Sequence, residues 1–240
     1  MKSAFFFLFI LCCQGLAKAQ NFEGILTYSS QMEVSEKMKK MGMTTEQLME
    51  QMKKEGTYAD TIKTSYKDGN YFTELKALKM YWSIYRADSN KIFTFNFGSD
   101  ICTVMDASKE METVVTGAPP KIIPLDSTVN ILGHVCKIVR IKYHAGQYDY
   151  CYDPSFLKMS PDLFSKDSYD GFGSFMKISG ALPMRIVKSV GGMMSTTFTL
   201  TEAHEGKISN DLFHIPTLGK DPDLNMMPYM GKLYMKVITL

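Results

Sequence analysis

Three methionines lie close enough together to suggest metal chemistry. Met38, Met41 and Met43 fall within six residues of one another, and thioether sulfur is a soft ligand suited to Cu(I). The alternative is packing, because flexible methionines also fill irregular apolar surfaces. Met38 and Met41 share a helical stripe that Met43 leaves, and no His or Cys lies nearby in the sequence. The pattern therefore favours packing, and no metal is predicted.

Two serines begin the SxxK pattern, in which a lysine activates a nucleophilic serine. They are Ser155 with Lys158 and Ser174 with Lys177, but the companion SDN and KTG elements of that enzyme class are missing from the sequence. The four histidines, at positions 134, 144, 204 and 214, are never three to five residues apart, so no zinc-type motif occurs. We therefore predict that the protein is not an enzyme and has no cofactor.

The first 19 residues have the three parts of a secretory signal peptide. Lys2 provides a positive charge, residues 4–13 form an unbroken apolar segment, and Ala17-Lys18-Ala19 offers small residues for cleavage. Ten residues make about 15 Å of helix, half of a bilayer core, and no later segment is apolar enough to span a membrane. The sequence predicts export to the periplasm or the outer-membrane periphery, without a transmembrane segment.

The charge of the processed chain excludes one class of partner. Loss of Lys2 and Lys18 lowers the basic count from 27 to 25, which equals the 25 acidic residues. A chain with equal numbers of basic and acidic residues lacks the strongly basic surface that binds nucleic acid or anionic lipid, so no nucleic-acid partner is predicted.

Alternation of apolar and polar residues predicts a sheet over most of the chain. Asp68-Gly69 and Gly191-Gly192 each separate two such runs and predict tight hairpins, the first with Tyr66 opposite Tyr71 and Ile62 opposite Leu75. Further strands are predicted at 110–116 and, as one long strand, at 130–143. Residues 119–124 contain three prolines and are predicted to form a loop, and residues 154–179 a short helix with loops.

One segment has a helical period instead. In residues 34–55 the apolar positions recur at steps of three and four, and they include Val34, Met38, Met41, Leu48 and Met52. Gly42 is expected to end a first helix, Thr44 with Gln47 to begin a second through a capping box, and Gly56 to end it. We therefore predict an amphipathic helical pair inserted after the first strand.

Three cysteines remain after residue 19, namely Cys102, Cys136 and Cys151. In an oxidising compartment one interpretation is a single disulfide that leaves one thiol over, with Cys102 and Cys136 as the first candidates. The alternative is that all three are buried thiols that pack as small hydrophobic side chains. Their wide spacing and the lack of a CxxC motif indicate neither a redox pair nor a zinc site.

Four short motifs in a fixed order carry a family resemblance. They are ILGHVCK at 131–137, YCYDP at 150–154, GALPM at 180–184 and DLFHIP at 211–216. Over residues 22–218 the chain resembles exported bacterial proteins of the domain of unknown function 4412 and, more loosely, the GLPGLI proteins. Both groups are similar to periplasmic lipoprotein carriers, which implies an open β half-barrel lined with apolar residues and covered by helices.

The combined expectation is a mainly β protein with a helical insertion. An antiparallel open half-barrel would occupy residues 21–218, with the insertion at 34–55 as its cover and residues 219–240 as a tail. We expect it to bind an acyl chain, a lipid or another apolar small molecule in its cavity. The expected cavity and cover residues are Met38, Met41, Leu48, Met52, Trp82, Phe93, Phe95, Met184 and Phe198. The alternative is a cell-envelope interaction module, with a protein partner and a filled core.

Overall fold

The computed structural model describes residues 21–77, 81–96, 101–219 and 232–236, so the predicted signal peptide lies outside the described residues. Thirteen strands are present in that part of the chain: β1 Gly24–Val34, β2 Thr61–Lys67, β3 Asn70–Leu75, β4 Tyr81–Arg86, β5 Lys91–Asn96, β6 Ile101–Asp106, β7 Lys121–Ile131, β8 His134–Lys142, β9 Gly146–Tyr152, β10 Arg185–Val190, β11 Met194–Glu205, β12 Leu218–Gly219 and β13 Lys232–Lys236. Four α-helices accompany them: α1 Glu36–Lys40, α2 Thr45–Glu55, α3 Met111–Thr116 and α4 Phe172–Ser179.

The strands form a single antiparallel sheet that does not close into a barrel. Their order is β12-β13-β6-β5-β4-β3-β2-β1-β11-β10-β9-β8-β7, so β1 joins two wings, β2 to β6 on one side and β11 to β7 on the other. The mainly β fold class and the open sheet are therefore confirmed. We call the face that carries Tyr28, Tyr66 and Tyr150 the concave face, because side chains of both wings line one cavity there.

The hairpin turn at Asp68-Gly69 is the one that the sequence predicts, whereas the loop at Gly191-Gly192 also includes Met193, because Val190 pairs with Met194. Tyr66 pairs with Tyr71 and Ile62 with Leu75, and the connecting residues Asp68 and Gly69 have positive φ angles of 48° and 76°. A primed hairpin turn requires this conformation, because its twist matches the twist of the two strands.

Three predictions about strands are wrong. Residues 121–131 form β7 in spite of Pro124, since an edge strand tolerates a residue without an amide hydrogen. The long strand expected at 130–143 is divided, because the turn at Leu132-Gly133 separates β7 from β8. Residues 111–116 are helical, because the Glu110 side chain caps the Thr113 amide at 2.7 Å. In the predicted tail, β13 adds a strand to β6.

The helical pair is present but does not cover the concave face. Thr44 and Gln47 form the expected capping box and Gly56 ends α2 in the left-handed conformation. Neither helix contains a buried residue, and Met41 is 71% exposed. The physical reason is composition, since only three of the eleven residues of α2 are apolar. The prediction of a helical cover is therefore wrong.

The cover is formed instead by residues 154–184, which connect β9 to β10 and which we call the strap. Its Phe164, Phe175 and Met176 are completely buried in the main core. The Phe175 ring stacks on Tyr150 with 4.6 Å between centroids, and the Phe164 ring meets Phe172 edge-on at 5.2 Å. Buried aromatic pairs of this geometry add about 0.5–1.5 kcal/mol each beyond the burial of their surface.

Polar contacts fasten the strap to both wings of the sheet. On one side the Ser168 amide donates to the Ala107 carbonyl at 2.7 Å, and the Asn90 side chain donates to the Lys166 carbonyl at 3.0 Å. On the other side the Tyr150 hydroxyl donates to the Asp170 carbonyl at 2.9 Å. The strap therefore bridges the curled sheet and holds its wings at a fixed separation.

The three cysteines are buried in two separate clusters. Cys136 and Cys151 lie in the main core with the strap, whereas Cys102 lies in a second cluster with Ile84 and Phe95. The Cys136 sulfur is 3.5 Å from the Met184 sulfur. The candidate Cys102–Cys136 disulfide is not formed, because these residues belong to opposite wings of the sheet, and the interpretation as buried thiols agrees with the structure.

Replacement of Phe175 by alanine should lower the free energy of unfolding by about 3–5 kcal/mol, because it removes packing contacts between strap and sheet and leaves a cavity there. Met41→Ala, on the exposed helix, should change it by less than about 0.5 kcal/mol. Urea unfolding of both variants measures the difference. Equal effects of the two substitutions would contradict the strap as cover.

Candidate ligand-binding site

A cavity of about 600 Å³ lies on the concave face where the strap stops. Its aromatic lining from the sheet consists of Tyr28, Tyr66, Tyr71, Tyr81, Tyr150 and Phe198, and the strap adds Tyr169 and Phe172. The aliphatic side chains are Ile62, Leu75, Ile92, Met105 and Ile186. Both wings and the strap contribute, so the cavity exists only because the sheet is curled and bridged.

Five hydroxyl side chains form one row across the floor of the cavity. Strand register places each beside the next, in the order Thr64, Thr73, Ser83, Thr94 and Thr103. All five line the cavity, and we call them the hydroxyl ladder. Neighbouring strands are about 4.8 Å apart, so the ladder spans about 19 Å. It separates two apolar rows, because residues two positions away on each strand point to the same face.

The two apolar rows have different surroundings. The row that contains Tyr66, Tyr71 and Tyr85 lies against Phe164 and Phe172 of the strap. The other row, with Ile62, Leu75 and Tyr81 in register, lies toward the end of the sheet from which α1 and α2 extend. The strap thus fills one half of the concave face, and the other half forms the cavity.

One ion pair is part of the lining. Asp170 of the strap binds Lys188 of β10, and the Lys188 ammonium also lies 5.1 Å from the centre of the Tyr148 ring. These two are the only charged residues among those described in the cavity wall. Because they neutralise each other, the cavity has no net charge.

A buried carboxyl group lies under the strap beside the cavity. Asp167 is 1% exposed, and its Oδ1 accepts the Tyr169 amide at 3.1 Å, while Oδ2 has no hydrogen-bond partner in the described part of the chain. Burial raises the pKa of Asp167 to about 7, and the charge of Asp170 acts in the same direction. Burial also raises the pKa of Tyr28, Tyr71 and Tyr150, so their phenols stay protonated.

A smaller cavity of about 200 Å³ adjoins the first at Tyr169 and Asp170. Glu110, Glu112 and Tyr143 line it, and Glu112 accepts the backbone amide of His144. Glu110, Glu112 and Asp170 are three acidic side chains near one opening, and such a group attracts cations. Within the described ranges, however, no group of three His, Cys, Asp or Glu side chains has the geometry to hold a metal ion.

Only one of the predicted site residues, Phe198, lines the cavity. Trp82, Phe93 and Phe95 belong to the second cluster on the opposite face, where residues 208–218 cover them. Met184 is completely buried in the core beside Cys136. Met38, Met41, Leu48 and Met52 lie on the helical pair, outside the lining.

The alternation of side chains along a strand explains why the prediction placed Trp82, Phe93 and Phe95 on the wrong face of the sheet. Trp82 lies between Tyr81 and Ser83, which do line the cavity, so it must point to the other side of β4. Both faces of β4 and β5 carry apolar side chains, and hydrophobicity alone therefore cannot identify the inner one. The signal that does identify the inner face is the run of Thr and Ser at matching register positions.

The serine and histidine patterns do not form a catalytic relay. Ser155 and His134 both contact Asp153, at 2.7 and 2.8 Å, so the histidine does not stand between serine and carboxylate. Proton transfer from a nucleophilic serine needs the histidine in that middle position. Ser174 and Lys177 are both exposed on α4. Ser155 and Asp153 instead stabilise the turn that begins the strap.

None of the helices in the described ranges is long and apolar enough to cross a membrane. The sequence matches no protein-family profile and no curated protein. Among solved structures the chain is similar to PNGF-II in two crystal forms, with TM-scores of 0.42 and sequence identities of 12% and 13%. The similar regions cover 80% and 79% of this chain but only 30% and 29% of PNGF-II.

Asp167→Asn should change how stability depends on pH. The folded-state pKa of about 7 exceeds the ordinary value of 3.8, so the stabilisation from the protonated carboxyl is complete below about pH 4 and is lost as pH rises through 7. The variant should therefore gain stability relative to the native protein over this range, by up to about 1.4 kcal/mol per pH unit.

Urea unfolding between pH 4 and pH 8 measures this difference. Asp162→Asn, on an exposed residue of the same strap, serves as the control and should keep the native pH profile. A constant offset between Asp167→Asn and the native protein across the whole range would show that the carboxyl does not titrate as described.

Proposed function

We propose that this chain is an exported, non-enzymatic binding protein that holds a mostly apolar small molecule in the concave cavity. The observation that carries the proposal is a space of about 600 Å³ surrounded by aromatic and aliphatic side chains. Cavities of about 300–1,000 Å³ with this type of lining are typical of small-molecule sites. The apolar walls of such a site suit the acyl part of a lipid or another apolar ligand.

The rigidity of the walls supports binding. Phe164 and Phe175 fix the strap on the sheet, and hydrogen bonds from Ser168 and Asn90 hold its course. A site whose walls are already ordered loses little conformational freedom when the ligand enters, and this favours affinity. Tyr169 and Phe172 are therefore in place before binding.

Export and family resemblance also support the proposal. The predicted signal peptide directs the chain to the periplasm or the outer-membrane periphery, where apolar molecules need carriers. The four ordered motifs resemble the domain of unknown function 4412 group and the GLPGLI proteins, which are similar to carriers of lipoproteins. The charged groups of the cavity are a single neutral pair, Asp170 with Lys188, which favours binding over catalysis.

A second candidate function is an interaction module of the cell envelope. The observation in its favour is the hairpin of β7 and β8 at the edge of the sheet, where Leu132 and Val135 are 59% and 64% exposed. Exposed apolar residues beside a free strand edge suit a protein partner. The strap also packs half of the concave face with side chains, and this agrees with the filled core of an interaction module.

Leu75→Asp should weaken uptake of a fluorescent naphthylamine probe at least about tenfold, because it places an unpaired carboxylate in the apolar wall. Met52→Asp, on α2 and outside the lining, should leave uptake unchanged. Titration of the purified protein with the probe gives both dissociation constants, and circular dichroism checks the fold. Failure of the native protein to bind any apolar probe would favour the interaction module.

A further inference from the structure

We propose that the ligand is an uncharged amphiphile that carries several hydroxyl or ether oxygens along one edge, of the chemical class of alkyl glycosides. This inference rests on the proposed function and specifies its ligand. It comes from the hydroxyl ladder, which runs through the middle of an otherwise apolar cavity.

The ladder offers hydrogen bonds that the protein does not use. Thr64 and Thr73 share one at 3.2 Å between their hydroxyl oxygens. In the described part of the chain the side-chain hydroxyls of Ser83, Thr94 and Thr103 make none, and all three residues are half-buried in the cavity wall. A hydroxyl that loses water without gaining a partner destabilises the complex, so a plain hydrocarbon chain is a poor occupant of this floor.

The apolar rows beside the ladder define the rest of the ligand. Ile62, Leu75 and Tyr81 lie on one side, and the rings of Tyr66 and Tyr71 on the other. Oxygen atoms at intervals along one edge of the ligand can reach the hydroxyls while its apolar surface contacts these rows. Aromatic side chains with a polar end suit such a mixed molecule.

The charge of the cavity indicates a neutral ligand. Lys188 is the single cation of the described lining, and Asp170 already binds it. A carboxylate or phosphate would meet the Asp170 charge, and an ammonium group would meet Lys188. Neither a fatty-acid anion nor a cationic lipid therefore gains an ion pair without breaking this one.

Three probes with the same dodecyl chain test the class of ligand: dodecyl maltoside, dodecanoate and dodecane. Isothermal titration below the micelle concentration, or competition with the naphthylamine probe for dodecane, gives each affinity for the native protein. We expect dodecyl maltoside to bind at least about tenfold more tightly than the other two, which corresponds to one or two additional hydrogen bonds.

The double variant Ser83→Ala and Thr94→Val removes two hydroxyls that have no hydrogen-bond partner among the described residues, so the sheet should keep its stability. Binding of dodecyl maltoside should weaken about fivefold for each hydroxyl removed, while binding of dodecane should not weaken. Thr197→Val is the matched control, because Thr197 lies next to Phe198 and points away from the cavity.

The outcomes separate the two proposals. Preference for dodecyl maltoside that the double variant abolishes and Thr197→Val preserves supports the inference. Equal affinities for the three probes, or a double variant with native affinities, overturn the inference and leave the binding function standing. Absence of binding to all three probes and to the naphthylamine probe overturns both.

Discussion

The aromatic contact between strap and sheet is the constraint on which the structure depends. An open sheet of this width leaves its concave face without a partner, and Phe164, Phe172 and Phe175 supply one by packing on the rings of Tyr71, Tyr85 and Tyr150. The same contact joins strands from opposite wings, since Tyr71 belongs to β3 and Tyr150 to β9. Without it only the hydrogen bonds of the strap and the sheet itself would connect the two wings.

The extent of the strap determines which half of the concave face is a packed core and which half is a cavity. The strap fills the concave face as far as the tyrosines that precede the hydroxyl ladder, and the cavity occupies the ladder and the apolar row beyond it. The filled core and the apolar cavity, which the sequence presents as alternatives, are therefore both present in different halves of one face. Asp167 lies near the boundary, where burial and the charge of Asp170 raise the pKa of its carboxyl group.

Local signals in the sequence predicted local structure well. The hairpin at Asp68-Gly69, the capping box at Thr44 and the αL glycine at 56 follow from backbone sterics and short-range hydrogen bonds, and each is confirmed. The inner face of β4 and β5 could not be predicted, because Trp82 and Tyr81 point to opposite faces and both faces carry apolar side chains. The sequence predicts the helical pair as the cover, since that segment has the convincing helical period. The strap has little periodicity, and its role depends on long-range packing of Phe164 and Phe175.

The most direct measurement is a set of nuclear Overhauser contacts between bound dodecyl maltoside and the protein, with Ile, Leu and Met methyl groups labelled. The structure predicts contacts to the methyls of Ile62, Leu75, Met105 and Ile186, which line the cavity. Methyls of Met38, Met41, Leu48 and Met52 on the helical pair should give none. Contacts to the helical methyls in place of the cavity methyls would contradict a ligand site between the strap and the hydroxyl ladder.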